Sequence, residues 1–229
     1  MLLKGPRIAP ASGGKAEKLI VILHGLGASG NDLIGIGHLW SRSLTTAEFV
    51  AFDAPFVYPP FPSGKQWFDM EDRRPDVVNE ALRSVSRTLF DSIDAELQAL
   101  GLDDDDLAIA GFSQGAMLAL FAGLRRPKRP AALVGYSGAL LVPEVLPIDI
   151  TVRPPVLLIH GEADPVVPAS ATTHAAESLR DNGVTVHAHI APGLEHTIDQ
   201  QGIDLGASFL QHGFAEAARL RAERLAKAQ

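Results

Sequence analysis

The 229-residue chain contains no cysteine, which removes disulfide frameworks, thiol nucleophiles and thiolate zinc sites from consideration. It also lacks any run of the roughly 18 to 20 apolar residues that a membrane-spanning helix requires, so no stable membrane insertion is expected. Residues 1–6 are too short an apolar stretch for a signal peptide, and the default location is cytoplasmic. Positive charge is in deficit. Lys and Arg number 20 against 27 Asp and Glu, a formal net charge of -7, and a field of that sign repels phosphate backbones, so nucleic acid is not an expected partner. Gly and Pro are spread along the chain rather than gathered into a tract, and 46% of residues are hydrophobic, as in a globular protein with a full core. The length suits one domain, residues 1–229, better than two.

Residues 19–23 form a continuous, largely β-branched run closed by His24-Gly25, the pattern of a parallel strand buried on both faces. Comparable runs occupy 48–52, 107–110, 131–136, 156–159 and 184–190, the last alternating enough to lie near a sheet edge. Helical spacing fills the intervals at 32–41, 77–100, 115–125, 170–181 and 199–226. Strand alternates with helix, so the expected fold class is α/β, with a mostly parallel central sheet and helices on both faces. Sites in such sheets lie at the carboxyl ends of the strands. Two stretches, 53–74 and 137–155, exceed ordinary connections. Trp67-Phe68 in the first and Leu140-Leu141-Val142 in the second make them candidate pocket walls, the alternative being surface excursions packed by their own side chains.

Gly111-Phe112-Ser113-Gln114-Gly115 stands between an apolar run and a helical segment. A G-x-S-x-G pentapeptide says little alone; the strand, sharp turn and helix around it are what its mechanics require. The two glycines remove side chains that would collide as strand turns into helix, leaving Ser113 exposed in a strained conformation. The helix N-terminus favours negative charge beside its oxygen. The alternative is an N-cap serine among turn glycines. A serine nucleophile needs a base, and the base an orienting acid. Of eight histidines, His196 follows both partners in the order Ser, Asp, His and sits on a loop after the last strand. His187 and His189 lie within that strand and His212 within the final helix, while His24, His38, His160 and His174 fail on order or placement. The acid is Asp164, several residues beyond the run 156–159; Glu162 is its near rival, and Asp149, Asp181 and Asp199 lie in less suitable segments. Backbone N–H groups of Gln114, directly after the serine, and of Leu26, in the turn His24-Gly25-Leu26-Gly27, are candidate donors to a tetrahedral oxyanion. The same turn lacks the Lys-Ser/Thr ending of a phosphate-binding loop. With a seryl nucleophile and backbone donors, no metal-bound water is needed and no metal is expected.

Together, Leu23-His24-Gly25-Leu26-Gly27, Gln66-Trp67-Phe68-Asp69, Gly111-Phe112-Ser113-Gln114-Gly115-Ala116, His160-Gly161-Glu162-Ala163-Asp164-Pro165-Val166-Val167 and Gly193-Leu194-Glu195-His196 resemble, in order, the motifs of the phospholipase/carboxylesterase family that includes the acyl-protein thioesterases. The resemblance implies an α/β-hydrolase fold with no large lid domain and no cofactor. It implies action on carboxylic esters, lysophospholipids or acyl thioesters, small-molecule substrates in the simplest case. It assigns Ser113, Asp164 and His196 to a catalytic triad and Leu26 and Gln114 to the oxyanion hole, and it puts Trp67 near the acyl or leaving group, the alternative being an ordinary buried aromatic. The turn before His196 departs from the more glycine-rich approach of relatives, which bears on the local shape of the site. The expected function is a serine carboxylesterase for short- to medium-chain esters, working through an acyl-enzyme. The alternative is a lysophospholipase or acyl-protein thioesterase for long acyl chains, which needs an apolar channel of matching length. Leu141, in the apolar stretch 140–146, is a candidate substrate contact for either. A binding module of the same fold would be expected to have lost triad members, and all three are present. The Ala- and charge-rich segment 213–229, with Phe214, Ala218 and Leu225 at helical spacing, is a candidate packing element or homodimer surface.

Overall fold

The computed structural model describes residues 2–227. The strands are β1 (Arg7–Ile8), β2 (Lys18–Leu23), β3 (Ala47–Phe52), β4 (Phe56–Tyr58), β5 (Phe61–Gln66), β6 (Leu107–Phe112), β7 (Ala132–Tyr136), β8 (Val156–Gly161) and β9 (Val186–Ala191). The helices are α1 (Gly30–Leu33), α2 (Gly35–Trp40), α3 (Pro75–Leu100), α4 (Gln114–Gly123), α5 (Leu146–Asp149), α6 (Ser170–Asp181) and α7 (Gln200–Lys227). Seven strands form one sheet in the order β1-β3-β2-β6-β7-β8-β9. Among the described residues, only β1 runs antiparallel to its neighbour, and all other pairings in that sheet are parallel.

The six runs read from the sequence are the six parallel strands. Alternate residues of β2 explain why it is apolar throughout: Leu19, Val21 and Leu23 pack against one face of the sheet, with α3, α4 and α6. Ile20 and Ile22 pack against the other, with α2 and α7. β9 is an edge strand, as its alternation implied, with Val186 buried and His187 and Ala188 exposed. The expected helix 32–41 is interrupted at Ile34 and forms α1 and α2. The stretch 53–74 holds a separate antiparallel hairpin of β4 and β5. Its prolines argue against a sheet interior, but a two-stranded ribbon has open edges that tolerate them. The C-terminal segment packs on the sheet: Phe214 and Ala217 are buried, whereas Ala218 and Leu225 of the expected stripe are exposed. Arg221 anchors its far end through Asp105 at 3.0 Å and Asp106 at 2.9 Å.

Helix α4 is buried along its whole length, and its entry sets the geometry of the molecule's functional end. A Cβ on Gly111 would stand 2.4 Å from the backbone of Gly115, and a Cβ on Gly115 would stand 2.0 Å from the carbonyl oxygen of Leu23. Neither backbone can yield without moving a central strand. Gly115→Ala is therefore expected to cost about 3 kcal/mol in urea denaturation. Gly35→Ala, whose Cβ meets nothing within 4 Å, is expected to change stability by less than about 1 kcal/mol. Equal effects of the two substitutions would contradict this packing account.

Candidate active site

The turn from β6 into α4 places Ser113 at φ 54° and ψ −119°, a left-handed conformation that costs a non-glycine residue roughly 1–3 kcal/mol. The surroundings hold it there. Its N–H donates to the carbonyl of Tyr136 at 2.8 Å, and Gly111 and Gly115 leave no slack on either side. Ser113 opens into a cleft of about 390 Å³ whose walls include Leu26, Leu33, Ile36, Phe112, Ile198 and Ile203. Asp32 also lines the cleft. Hydrogen bonds from the Ser29 hydroxyl and N–H hold its carboxyl below the usual range, so it is a fixed negative charge in the first turn of α1.

His196 arrives on the loop after β9. Its Nε2 lies 3.1 Å from Ser113 Oγ and its Nδ1 2.6 Å from Asp164 Oδ2. A carboxylate only accepts, so Nδ1 carries the proton and Nε2 presents its lone pair to the seryl hydroxyl, an assignment made from the partners. The Phe112 ring packs 4.8 Å from the imidazole, centroid to centroid. The Asp164 side chain has no exposed surface, and Oδ1 accepts from the N–H groups of Val166 at 2.8 Å and Val167 at 2.9 Å. Burial pushes this carboxyl up, but the hydrogen bonds from His196, Val167 and Val166 outweigh it and hold the group below the usual carboxylate range.

The loops carrying Asp164 and His196 are zipped backbone to backbone. Glu162 N–H donates to Ala191 O and Ala163 N–H to Leu194 O, each at 2.9 Å, and a Cβ on Gly161 would stand 2.2 Å from Leu194 O. Glu162, the rival acid, turns away: its exposed carboxylate accepts from Gly193 N–H at 3.1 Å. Among the described residues, the N–H groups of Leu26 and Gln114 donate to no protein acceptor, which leaves both available to an incoming oxygen.

Trp67 lies behind the cleft, not on its wall. It has no exposed surface, because its indole N–H finds a buried acceptor in His24 O at 2.8 Å. The Gln114 side chain completes the brace, accepting from Trp67 N–H at 2.9 Å and donating to Phe68 O at 2.8 Å. Leu141 is half-buried against the core face that holds α3 and α4 and is not among the cleft residues. The walls come instead from α1, α2 and the approach to α7. Those segments follow β2 and β9, and the rule that sites gather at strand carboxyl ends would have pointed to them. His24, set aside on chain order, supports the turn carrying Leu26: its Nε2 accepts from Ala54 N–H at 3.0 Å, and its Nδ1 lies 2.7 Å from Gly25 O.

The family model described as Phospholipase/Carboxylesterase matches residues 5–213. The chain is similar to the crystal structure of esterase PE8, with a TM-score of 0.87 and 39% identity, covering 93% of this chain and 99% of that one. It is 34% identical over 172 residues to acyl-protein thioesterase 1 of Schizosaccharomyces pombe, 71% of this chain and 75% of that protein. It is also 27% identical over 208 residues, 82% of this chain and 81% of the other, to a protein of Oryza sativa subsp. japonica named "Probable inactive carboxylesterase". Overall likeness therefore does not by itself carry activity, and the groups at the site must.

Burial lowers the pKa of His24 from 6.5, against the opposing pull of Gly25 O, Asp53 and Asp32. A depressed folded-state value means that His24 contributes stability above the unfolded value and loses it as pH falls from about 6.5 toward the folded value. The melting temperature is thus expected to drop between about pH 7 and 5, and to drop less in His24→Gln. An identical slope in the variant would remove His24 as a source of acid lability.

Proposed function

Since the chain belongs to the phospholipase/carboxylesterase family and has the α/β-hydrolase fold without a large lid, we propose that it is a serine hydrolase cleaving carboxylic esters or thioesters of short to medium acyl chain. One observation carries the reading: Ser113 Oγ, His196 and Asp164 stand in a single relay of 3.1 and 2.6 Å. His196 Nε2 takes the seryl proton as Oγ attacks the acyl carbonyl carbon. The carbonyl oxygen becomes an oxyanion facing the N–H groups of Gln114 and Leu26, donors worth about 2.7–4 kcal/mol each in other hydrolases. The His196 proton then passes to the leaving alkoxide or thiolate, giving an acyl-enzyme. Water, deprotonated by His196, attacks the acyl carbon, and Ser113 leaves with the proton.

The cleft of about 390 Å³ lies at the low end of the roughly 300–1,000 Å³ span of small-molecule sites. With Leu33, Ile36 and Ile203 on its walls, it supports a short or medium apolar acyl group. The name of the Schizosaccharomyces pombe relative favours a second reading, hydrolysis of acyl-protein thioesters, for which we propose a long acyl chain. Both readings use the same attack and differ in the chain that must be housed.

Ser113→Ala is expected to retain less than about one per cent of kcat, and Asp164→Asn to lose on the order of 10⁴ by favouring the wrong histidine tautomer. Glu162→Gln should be near wild type, and a reversed order for the two acidic positions would reassign the acid. On a ladder of nitrophenyl esters and matched thioesters, kcat/KM should peak at short to medium chains. A peak at palmitoyl length would establish the second reading instead.

A further inference from the structure

His160 sits one residue from the end of β8 with no exposed surface, and the relay described above makes no use of it. Its Nε2 lies 2.9 Å from Val167 O and 3.2 Å from Asp164 Oδ2, while its Nδ1 lies 2.8 Å from Thr172 Oγ1 on α6. Both neighbours of Nε2 are acceptors only, so Nε2 carries a hydrogen; Nδ1 faces a hydroxyl that can donate. A single ring proton satisfies every contact, and no second charge has to be buried.

We propose that His160 is a positioning residue for ester cleavage: a buried neutral imidazole that clamps the turn 164–167 and moderates the potential of the Asp164 oxygen facing His196. The proposal rests on the roles given above to Ser113, His196 and Asp164. Val167 is held from both sides, its N–H donating to Asp164 Oδ1 at 2.9 Å and its carbonyl accepting from His160 at 2.9 Å. The turn that orients the carboxylate is thereby tied to β8 and, through Thr172, to α6. The N–H is aimed at Val167 O, and its positive end lies beside Oδ2, the oxygen that His196 Nδ1 reaches at 2.6 Å. Removing that dipole leaves the carboxylate more negative toward His196, which favours imidazolium and moves the acid limb of activity to higher pH.

The other groups around His196 are accounted for. Ser113 and the Phe112 ring face it from the turn between β6 and α4, and Asp32 of α1 and His24 of the turn after β2 line the same cleft. On its own loop, Glu195 is exposed and Asp199 accepts from Gly202 N–H. Among the described residues, Asp164 supplies the one carboxylate within 4 Å of a ring nitrogen of His160. None of these other groups changes when His160 is replaced.

The test compares His160→Phe, His160→Gln and Thr172→Val with wild type in kcat/KM against pH on one ester, in thermal melting and in labelling by a fluorophosphonate. His160→Phe is expected to melt cooperatively and label fully, with plateau kcat/KM down roughly tenfold and the acid limb raised by about half a pH unit. His160→Gln, which restores a donor, should return the limb toward wild type. Thr172→Val, which keeps the ring and removes only the hydroxyl that anchors Nδ1 to α6, should move the limb the same way by less and carries the test if His160→Phe does not fold. Acid limbs coincident with wild type in the folded variants would overturn the proposal, leaving His160 a filler of space. Failure of the wild type itself to be labelled, or activity retained by Ser113→Ala, would instead overturn the underlying reading.

Discussion

A side chain on Gly115 would lie 2.0 Å from the carbonyl oxygen of Leu23, so the first turn of α4 meets the end of β2 backbone to backbone. Much of the site follows from this approach. It forces the turn that holds Ser113 at positive φ, and it aims the first N–H groups of α4 out of the sheet. It also brings them beside the turn that carries Leu26. Strain of this kind persists only where the surroundings over-determine it. Here they do so through a helix buried on every side and a central strand apolar on both faces.

The second half of the site is built differently. His196 and Asp164 lie on loops after neighbouring strands, and backbone hydrogen bonds between Glu162 and Ala191 and between Ala163 and Leu194 fix the two loops to each other. The parallel pairing of β8 with β9 runs through Gly161 and Ala191, so these loops leave the sheet already in register. Asp164 then meets its backbone donors and His196 as a consequence of that register. A short carboxylate three residues beyond Gly161, the end of β8, reaches a histidine five residues beyond Ala191, the end of β9, without help from a flexible side chain.

Most of this organisation was legible in the sequence because it depends on patterns that are local or ordered along the chain. Two-sided burial makes parallel strands continuous apolar runs, as 19–23 shows, and α6 begins and ends where the spacing of 170–181 places it. The glycines of 111–115 mark a turn only glycine can make. What stayed hidden depends on partners distant in sequence. Trp67 in a proline-rich stretch reads as a pocket wall until its indole N–H is seen to reach His24 O, 43 residues away. The β4 and β5 hairpin was masked by its prolines. His160 was set aside because a histidine before the acid cannot be the base; its contacts at Asp164, Val167 and Thr172 converge only once the loop has turned. The cleft wall of Leu33, Ile36 and Ile203 is assembled from three helices, and no single segment's periodicity announces it.

The central claim is covalent: turnover passes through an acyl group carried on the oxygen of Ser113. Rapid acid quenching of the enzyme with nitrophenyl butyrate, followed by intact-mass and peptide measurement, addresses it directly. The account requires an early species heavier by one butyryl group, with the added mass on the peptide containing Ser113, decaying as substrate is exhausted. Product release with no acylated species under conditions that slow deacylation, or an acyl group mapped to any other residue, would contradict it.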